Sequence, residues 1–430
     1  MTSTDYANPY RPAPIRIFNR LGRASQQLGL AGRLEVGWLI AAARRKTGLA
    51  DVGDDRHLPA LHTLVDSIND EARLTATGRL IQKSRLVAAL VTRLRIQELL
   101  RRRPEIRQID LGPILLIAGL HRTGSTLLQR LLDSHPGIGG ITGAEVLNPV
   151  PTLDDPERGE RARARHAVLA KRAFAYLAPE FKAIHPVDHA EPEEEVLLLD
   201  LTFMCPSAEA TMHVPSYARW LEGQDFSWTY EYFQQVLRVL HWQRPRRAWV
   251  LKAPQHLEHL DAFRRVFPDA AIVQTHRDPR RAVASFCSLV AHARGMLSDH
   301  VDPLEIGRHW LQKTRRMVQR AMRAREAAED RGFIDVSYYD LTAAPSAELR
   351  RICARAGIAF DGEAERRAER CLAANPQNRF GKHNYRLEDF GLSERAVDAA
   401  FSSYRAEHSI PFENESGQVA AAPLIQARSG

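Results

Sequence analysis

Residues 113–132 pass from an unbroken apolar run, through a glycine-bounded turn, into an amphipathic helical pattern, and no other stretch constrains the fold as strongly. Ile114-Leu115-Leu116-Ile117-Ala118 carries no polar residue, as expected of a strand buried on both faces. Gly119-Leu120-His121-Arg122-Thr123-Gly124 follows at once, and Leu127, Leu128, Leu131 and Leu132 then recur at helical spacing. Strand, glycine turn and helix in that order open a mononucleotide-binding unit. The chain then repeats the alternation. Strands are predicted at Ala248–Leu251, Ala271–Thr275 and Phe333–Val336. Helices are predicted near Gln255–Phe267, Pro279–Val290, Pro303–Ala328 and Ser346–Ala356. This alternation implies an α/β fold, a P-loop-like parallel sheet flanked by helices on both faces.

The region upstream reads as helix. Leu61, Leu64, Val65 and Ile68, and then Leu86, Leu90, Leu94 and Ile96, recur at helical spacing until Pro104 ends the pattern. The expected organisation is a helical N-terminal section over 1–105, with 1–13 loose, an α/β domain over 106–415 and a loose tail over 416–430. The N-terminal helices are candidates for a cap over the site or for a contact between copies of the chain in a homo-oligomer.

A hydrophobic share of 44% and a charged share of 26% exclude large-scale disorder. The net charge of +8 suits an anionic ligand. The tightest basic cluster, Arg101 to Arg103, ends a predicted helix and forms no tail, so nucleic acid is not an expected partner. Cys205, Cys287, Cys353 and Cys371 show no metal-site spacing, which fits a reducing compartment and no structural metal. The longest apolar stretches, Val36–Ala43 and Ile114–Leu120, are too short to span a bilayer. The expectation is a cytoplasmic location, with membrane contact through a surface patch left open.

The loop Gly119–Thr126 has the glycine spacing of a P-loop, which lets backbone N–H groups curl inward around phosphate oxygens at a helix N-terminus. A Walker loop has Lys before its final Ser/Thr, and here Ser125 takes that place. This weakens a kinase or ATPase reading. Arg122 supplies a cation within the loop, and its planar fork suits a sulfonate or phosphate. A second constellation follows the third predicted strand. Arg277 stands at the carboxyl end of Ile272-Val273-Gln274-Thr275, where α/β folds place ligand-binding groups. Ser285 lies eight residues on, within the next predicted helix. Together they can hold one phosphate by a charged fork and a hydroxyl. His276-Arg277-Asp278 is not followed by the Asn that a kinase catalytic loop requires, since Arg280–Ala284 contains none.

With these residues the chain resembles the PAPS-dependent sulfotransferase superfamily, in particular the bacterial branch that also resembles tyrosylprotein sulfotransferases. The likeness runs over about residues 113–392 and includes Trp249-Val250-Leu251-Lys252-Ala253-Pro254, His383-x-Tyr385 and Glu388-Asp389-Phe390-Gly391. It implies metal-free, in-line transfer of a sulfuryl group from 3′-phosphoadenosine 5′-phosphosulfate (PAPS) to a hydroxyl acceptor. It assigns Arg122, Thr123, Gly124, Ser125 and Thr126 to the 5′-phosphosulfate, Arg277 and Ser285 to the 3′-phosphate, and Lys252 to charge at the transferring group. Arg379, Gly381 and Lys382 form a late basic loop that can close over the nucleotide, with a solvated turn as the competing reading.

The similar tyrosylprotein enzymes place a catalytic Glu after a glycine in the region of Gly143-Ala144-Glu145, which makes Glu145 the favoured base, with helix capping as its competing role. His185 is the rival base, since imidazole is the commonest general base. His256 and His259 read as structural, and the aromatics of Pro215–Phe233 read as core before pocket. Two other functions stay open. A P-loop nucleotide kinase or NTPase would need Mg²⁺ and a phosphate-gripping lysine, and a nucleotide-binding scaffold would not turn over.

Overall fold

A computed structural model describes residues 6, 9–28, 32–150, 156–179, 190–375 and 385–413. Among them the apolar runs form one parallel sheet in the order β2-β3-β1-β4-β5, made of β1 Ile114–Gly119, β2 Ile138–Gly139, β3 Ala248–Lys252, β4 Ala271–His276 and β5 Phe333–Ser337. Every residue of β1 and β3 is buried, which is why their sequences are continuously apolar rather than alternating. The two-residue β2 was not predicted, because a segment that short carries no periodicity.

Most of the helices follow the expected spans, and two expected helices are interrupted. The Gln255–Phe267 pattern splits into a 3-10 turn at Pro254–Glu258 and a helix at Leu260–Val266. His259 takes a non-helical φ of −132° between them, and its ring is pinned by stacking on Phe226 at 3.5 Å. The N-terminal pattern divides into helices Leu58–Asp70 and Ala76–Arg102, the second capped by Thr75, whose hydroxyl accepts from the Gly78 N–H at 3.1 Å. Two earlier helices, Ala13–Gln27 and Val36–Thr47, add to the N-terminal section.

That section shares one core with the sheet. Leu61, Leu64, Leu90 and Leu94 are buried in the same apolar cluster as Leu116 and Leu251. Arg93, fully buried, donates from its terminal nitrogens to the Leu201 carbonyl at 3.2 Å and the Val52 carbonyl at 3.1 Å. No helix among the described residues is long and apolar enough to cross a membrane.

Strand β1 lies between β3 and β4, and the chain leaves β1 toward β2 on one side and reaches β4 on the other. Such a switch point opens a crevice beyond the strands' carboxyl ends. Register pairs Ile117 with Lys252 and Gly119 with Thr275, so three chain segments reach the crevice at one level. Gly119 makes that approach feasible: a Cβ there would lie 2.1 Å from Thr275 Oγ1 and 2.8 Å from the Thr275 carbonyl.

Candidate active site

The loop after β1 is held in an unusual backbone conformation from below. Arg122 and Gly124 adopt φ of 67° and 87°, and the non-glycine Arg122 does so at a cost of about 1 kcal/mol or more. Thr123 offsets that cost. Its buried hydroxyl donates to the Leu120 carbonyl at 2.6 Å and meets Thr275 Oγ1 at 2.6 Å, which fastens the turn to β4. The Thr123 side chain is thus committed to the protein. Ser125 and Thr126 begin the Ser125–Asp133 helix directly after Gly124, with Thr126 exposed in the crevice. His121 stacks on Phe286 at 3.5 Å and joins the loop to the Pro279–Leu297 helix that carries Ser285.

Lys252, at the end of β3, is buried and extends its ammonium to Glu194 Oε1 at 2.6 Å and Thr126 Oγ1 at 3.5 Å. Its backbone N–H donates to Glu195 Oε2 at 3.0 Å. Glu195 continues inward, with its Oε1 2.6 Å from His256 Nε2, and His256 Nδ1 lies 2.9 Å from the Tyr230 hydroxyl. A fully buried carboxylate, imidazole and phenol therefore brace the backbone at Lys252 while Glu194 engages its side chain. His259 is separate from this chain, and burial pushes its imidazole down to about 3, so it stays neutral.

Arg277 joins the two halves of the site. Its Nη1 donates to the Arg122 carbonyl at 2.9 Å, across 155 residues of sequence. Its Nε and Nη2 form a bidentate pair with Glu413 at 2.7 and 2.9 Å, and its guanidinium lies 3.8 Å from the centroid of the Tyr338 ring. Asp278, the neighbouring acid, serves other groups: it caps the following helix through the Arg280 N–H at 3.0 Å and accepts from Arg405 and from the Glu413 N–H. Ser285 is buried within that helix.

Glu145 occupies a different environment. It forms a capping box with Thr142, and Arg246 Nη2 reaches its two oxygens at 2.8 and 2.7 Å. Arg244 adds a contact at 3.3 Å. Burial raises its proton affinity, but the charges of Arg246 and Arg244 and the Thr142 N–H more than offset this and hold it below the usual carboxylate range. Among the described residues no hydrogen bond links Glu145 to the loop or to Lys252, and these surroundings are those of the helix-capping alternative. His185, Arg379, Gly381 and Lys382 lie outside the described residues. The aromatics of Pro215–Phe233 mostly fill the core, as with Tyr217, whose hydroxyl donates to the Phe203 carbonyl at 2.6 Å.

The sequence profile of the sulfotransferase family matches residues 113–362, from the start of β1 through the Arg277 site and beyond. The chain belongs to the sulfotransferase family. It is 25% identical over 267 residues to omega-hydroxy-beta-dihydromenaquinone-9 sulfotransferase Stf3 of Mycobacterium tuberculosis, a match that spans 57% of this chain and 63% of that protein. The crystal structure of sulfotransferase STF1 from Mycobacterium tuberculosis superposes with a TM-score of 0.76 at 31% identity, covering 86% of this chain and 99% of that one. Sulfotransferase STF9 from Mycobacterium avium gives a TM-score of 0.80 at 29% identity, covering 88% and 98%. The architecture is therefore the sulfotransferase fold.

In this family member, sequence reasoning missed Glu194, Glu195 and Glu413. Three consecutive acids after Pro192, at the head of the apolar Val196–Leu199 helix, were the available signal for the first two. Glu413 offered none, since it lies 136 residues from its partner Arg277.

Proposed function

We propose that this protein transfers a sulfuryl group from PAPS to a hydroxyl acceptor by in-line displacement. The observation that supports the reading is the hydrogen bond from Arg277 to the Arg122 carbonyl, which brings the segment we assign to the 3′-phosphate against the loop we assign to the 5′-phosphosulfate. Arg122, Gly124, Ser125 and Thr126 would receive the 5′-phosphosulfate at a helix N-terminus. Arg277 and Ser285 would hold the 3′-phosphate. Lys252, beside Thr126, would place its charge at the transferring sulfonate and at the phosphate oxygen that leaves.

For the base we favour Glu194 over Glu145. Glu194 stands 2.6 Å from the Lys252 ammonium, which reaches Thr126 of the loop, whereas among the described residues Glu145 is bonded to Thr142, Arg244 and Arg246 and to neither the loop nor Lys252. In this scheme the acceptor oxygen loses its proton to Glu194 as it bonds to sulfur. The bond from sulfur to the bridging oxygen breaks, and adenosine 3′,5′-bisphosphate leaves with the electron pair. The acceptor is assigned here only as a hydroxyl. The hydroxylated menaquinone named for the curated relative is one member of that class.

The test is transfer of label from [³⁵S]PAPS to a panel of hydroxyl compounds, paired with calorimetric titration of adenosine 3′,5′-bisphosphate without added metal. Binding with transfer that Glu194→Gln abolishes and Glu145→Gln largely retains supports the scheme. Binding of ATP with Mg²⁺ in place of the bisphosphate would instead establish the kinase reading.

A further inference from the structure

The Ala13–Gln27 helix turns its apolar side outward. Ile17 is 58% exposed, Phe18 45%, Leu21 66%, and Leu28, just past its end, 74%. Ile17, Leu21 and Leu28 stand at i, i+4 and i+11 and share one stripe, with Phe18 at its edge. The opposite side is the one that packs. Asn19 accepts from the Thr77 N–H at 2.9 Å, and a Cβ on Gly22 would meet Ala76 Cβ at 2.3 Å. The outward stripe is therefore not a core face left over from loose packing.

Further exposed apolar side chains stand on the neighbouring helices. Leu80 is one turn beyond Ala76 on the helix that Gly22 touches, and it is 55% exposed. Lys83, three residues further, covers the ring of Trp38 at 3.6 Å, and Trp38 itself is 43% exposed. Arginines border the stripe: Arg16 and Arg20 are exposed along one side of the same helix. From Ala13 to Gly48 the chain carries seven basic residues (Arg16, Arg20, Arg23, Arg33, Arg44, Arg45 and Lys46) against one acid, Glu35, with Arg23 paired to Asp299 and Arg33 to Asp70.

An exposed apolar stripe with an aromatic at its margin and arginines beside it is the composition of a helix that lies in a membrane interface. A protein partner would have to match both the apolar stripe and the one-sided positive charge. An anionic bilayer supplies apolar depth and negative headgroups together. We propose that this helix face, formed by Ile17, Phe18, Leu21 and Leu28, docks the protein reversibly on anionic lipid membranes. The docking is peripheral and independent of the sulfuryl-transfer reading, because none of these side chains belongs to the crevice.

The experiment is co-sedimentation of the full chain with phosphatidylcholine vesicles, with and without phosphatidylglycerol, at low and moderate salt. The wild type is expected to bind the anionic vesicles and to bind them less as salt rises. Replacing exposed apolar side chains is expected to cost roughly tenfold in partitioning each. Ile17→Ser/Phe18→Ser/Leu21→Ser should therefore abolish sedimentation while keeping the wild-type Tm. Arg16→Glu/Arg20→Glu should remove the preference for anionic vesicles, and it decides the matter alone if the triple variant misfolds. Failure of the wild type to sediment with anionic vesicles overturns the proposal. So does an Arg16→Glu/Arg20→Glu variant that binds them as the wild type does. A wild-type dimer that the triple variant converts to monomer, with no vesicle binding in either, would assign the face to self-association.

Discussion

Arg277→Lys separates a phosphate-reading arginine from one that only supports the fold. In the structure Arg277 spends its Nε, one N–H of Nη2 and one N–H of Nη1 on Glu413 and the Arg122 carbonyl. Of the five N–H groups of a guanidinium, two remain, one on each terminal nitrogen. These two are the pair a 3′-phosphate would take. A charge-assisted hydrogen bond contributes roughly 1.5–3 kcal/mol. Lysine keeps the charge but cannot serve Glu413, the loop carbonyl and the phosphate with one fork. The loss should be about 2 kcal/mol, or roughly 30-fold in affinity for adenosine 3′,5′-bisphosphate. Adenosine 5′-monophosphate lacks the 3′ group and should lose little. The assay is calorimetric titration of wild type and variant with both nucleotides, with Tm measured in parallel because Glu413 is buried against Arg277. A variant that keeps the wild-type ratio of the two affinities would refute the assignment, and Arg277 would then be a structural partner of Glu413.

Lys252→Met should lower kcat by roughly 100-fold or more while leaving bisphosphate affinity within a few-fold, read by single-turnover transfer and calorimetry. Glu145→Gln should cost about 2 kcal/mol at neutral pH by weakening the buried pairing with Arg246, measured by denaturant unfolding. Because the folded Glu145 holds its proton less tightly than its ordinary 4.5, its contribution is present above that pH and is lost as pH falls through the lower folded value. The wild-type Tm should therefore drop more steeply below about pH 4.5 than that of Glu145→Gln, and parallel acid profiles would contradict the ion pair. Gly119→Ala should destabilise by about 3 kcal/mol, since its Cβ meets a backbone carbonyl as well as a hydroxyl, and an unchanged Tm would show that β1 and β4 can separate there.

What the sequence determined by itself is what local chemistry determines. Two of the five strands were legible because burial on both faces removes every polar residue from Ile114–Ala118 and from Ala248–Leu251, and two more, Ala271–Thr275 and Phe333–Val336, as short apolar-rich runs between helical patterns. The loop was legible because its glycines and hydroxyls are contiguous, and the helix after β4 because Pro279 starts it. The dipeptide-long β2 and the outward apolar face of the first helix were not, since apolar spacing alone does not say which side of a helix meets the core.

Tertiary structure decided the partners of each charge. Glu145 looked available in the sequence until Arg246, 101 residues away, took both of its oxygens. Lys252 gained Glu194 from a separate segment, and Arg277 gained Glu413 from the far end of the described chain. Coulomb and hydrogen-bond energies depend on distances of a few ångströms in a low-dielectric interior. Sequence separation does not encode those distances, so the residue types at the site were readable while their protonation and pairing had to wait for the fold.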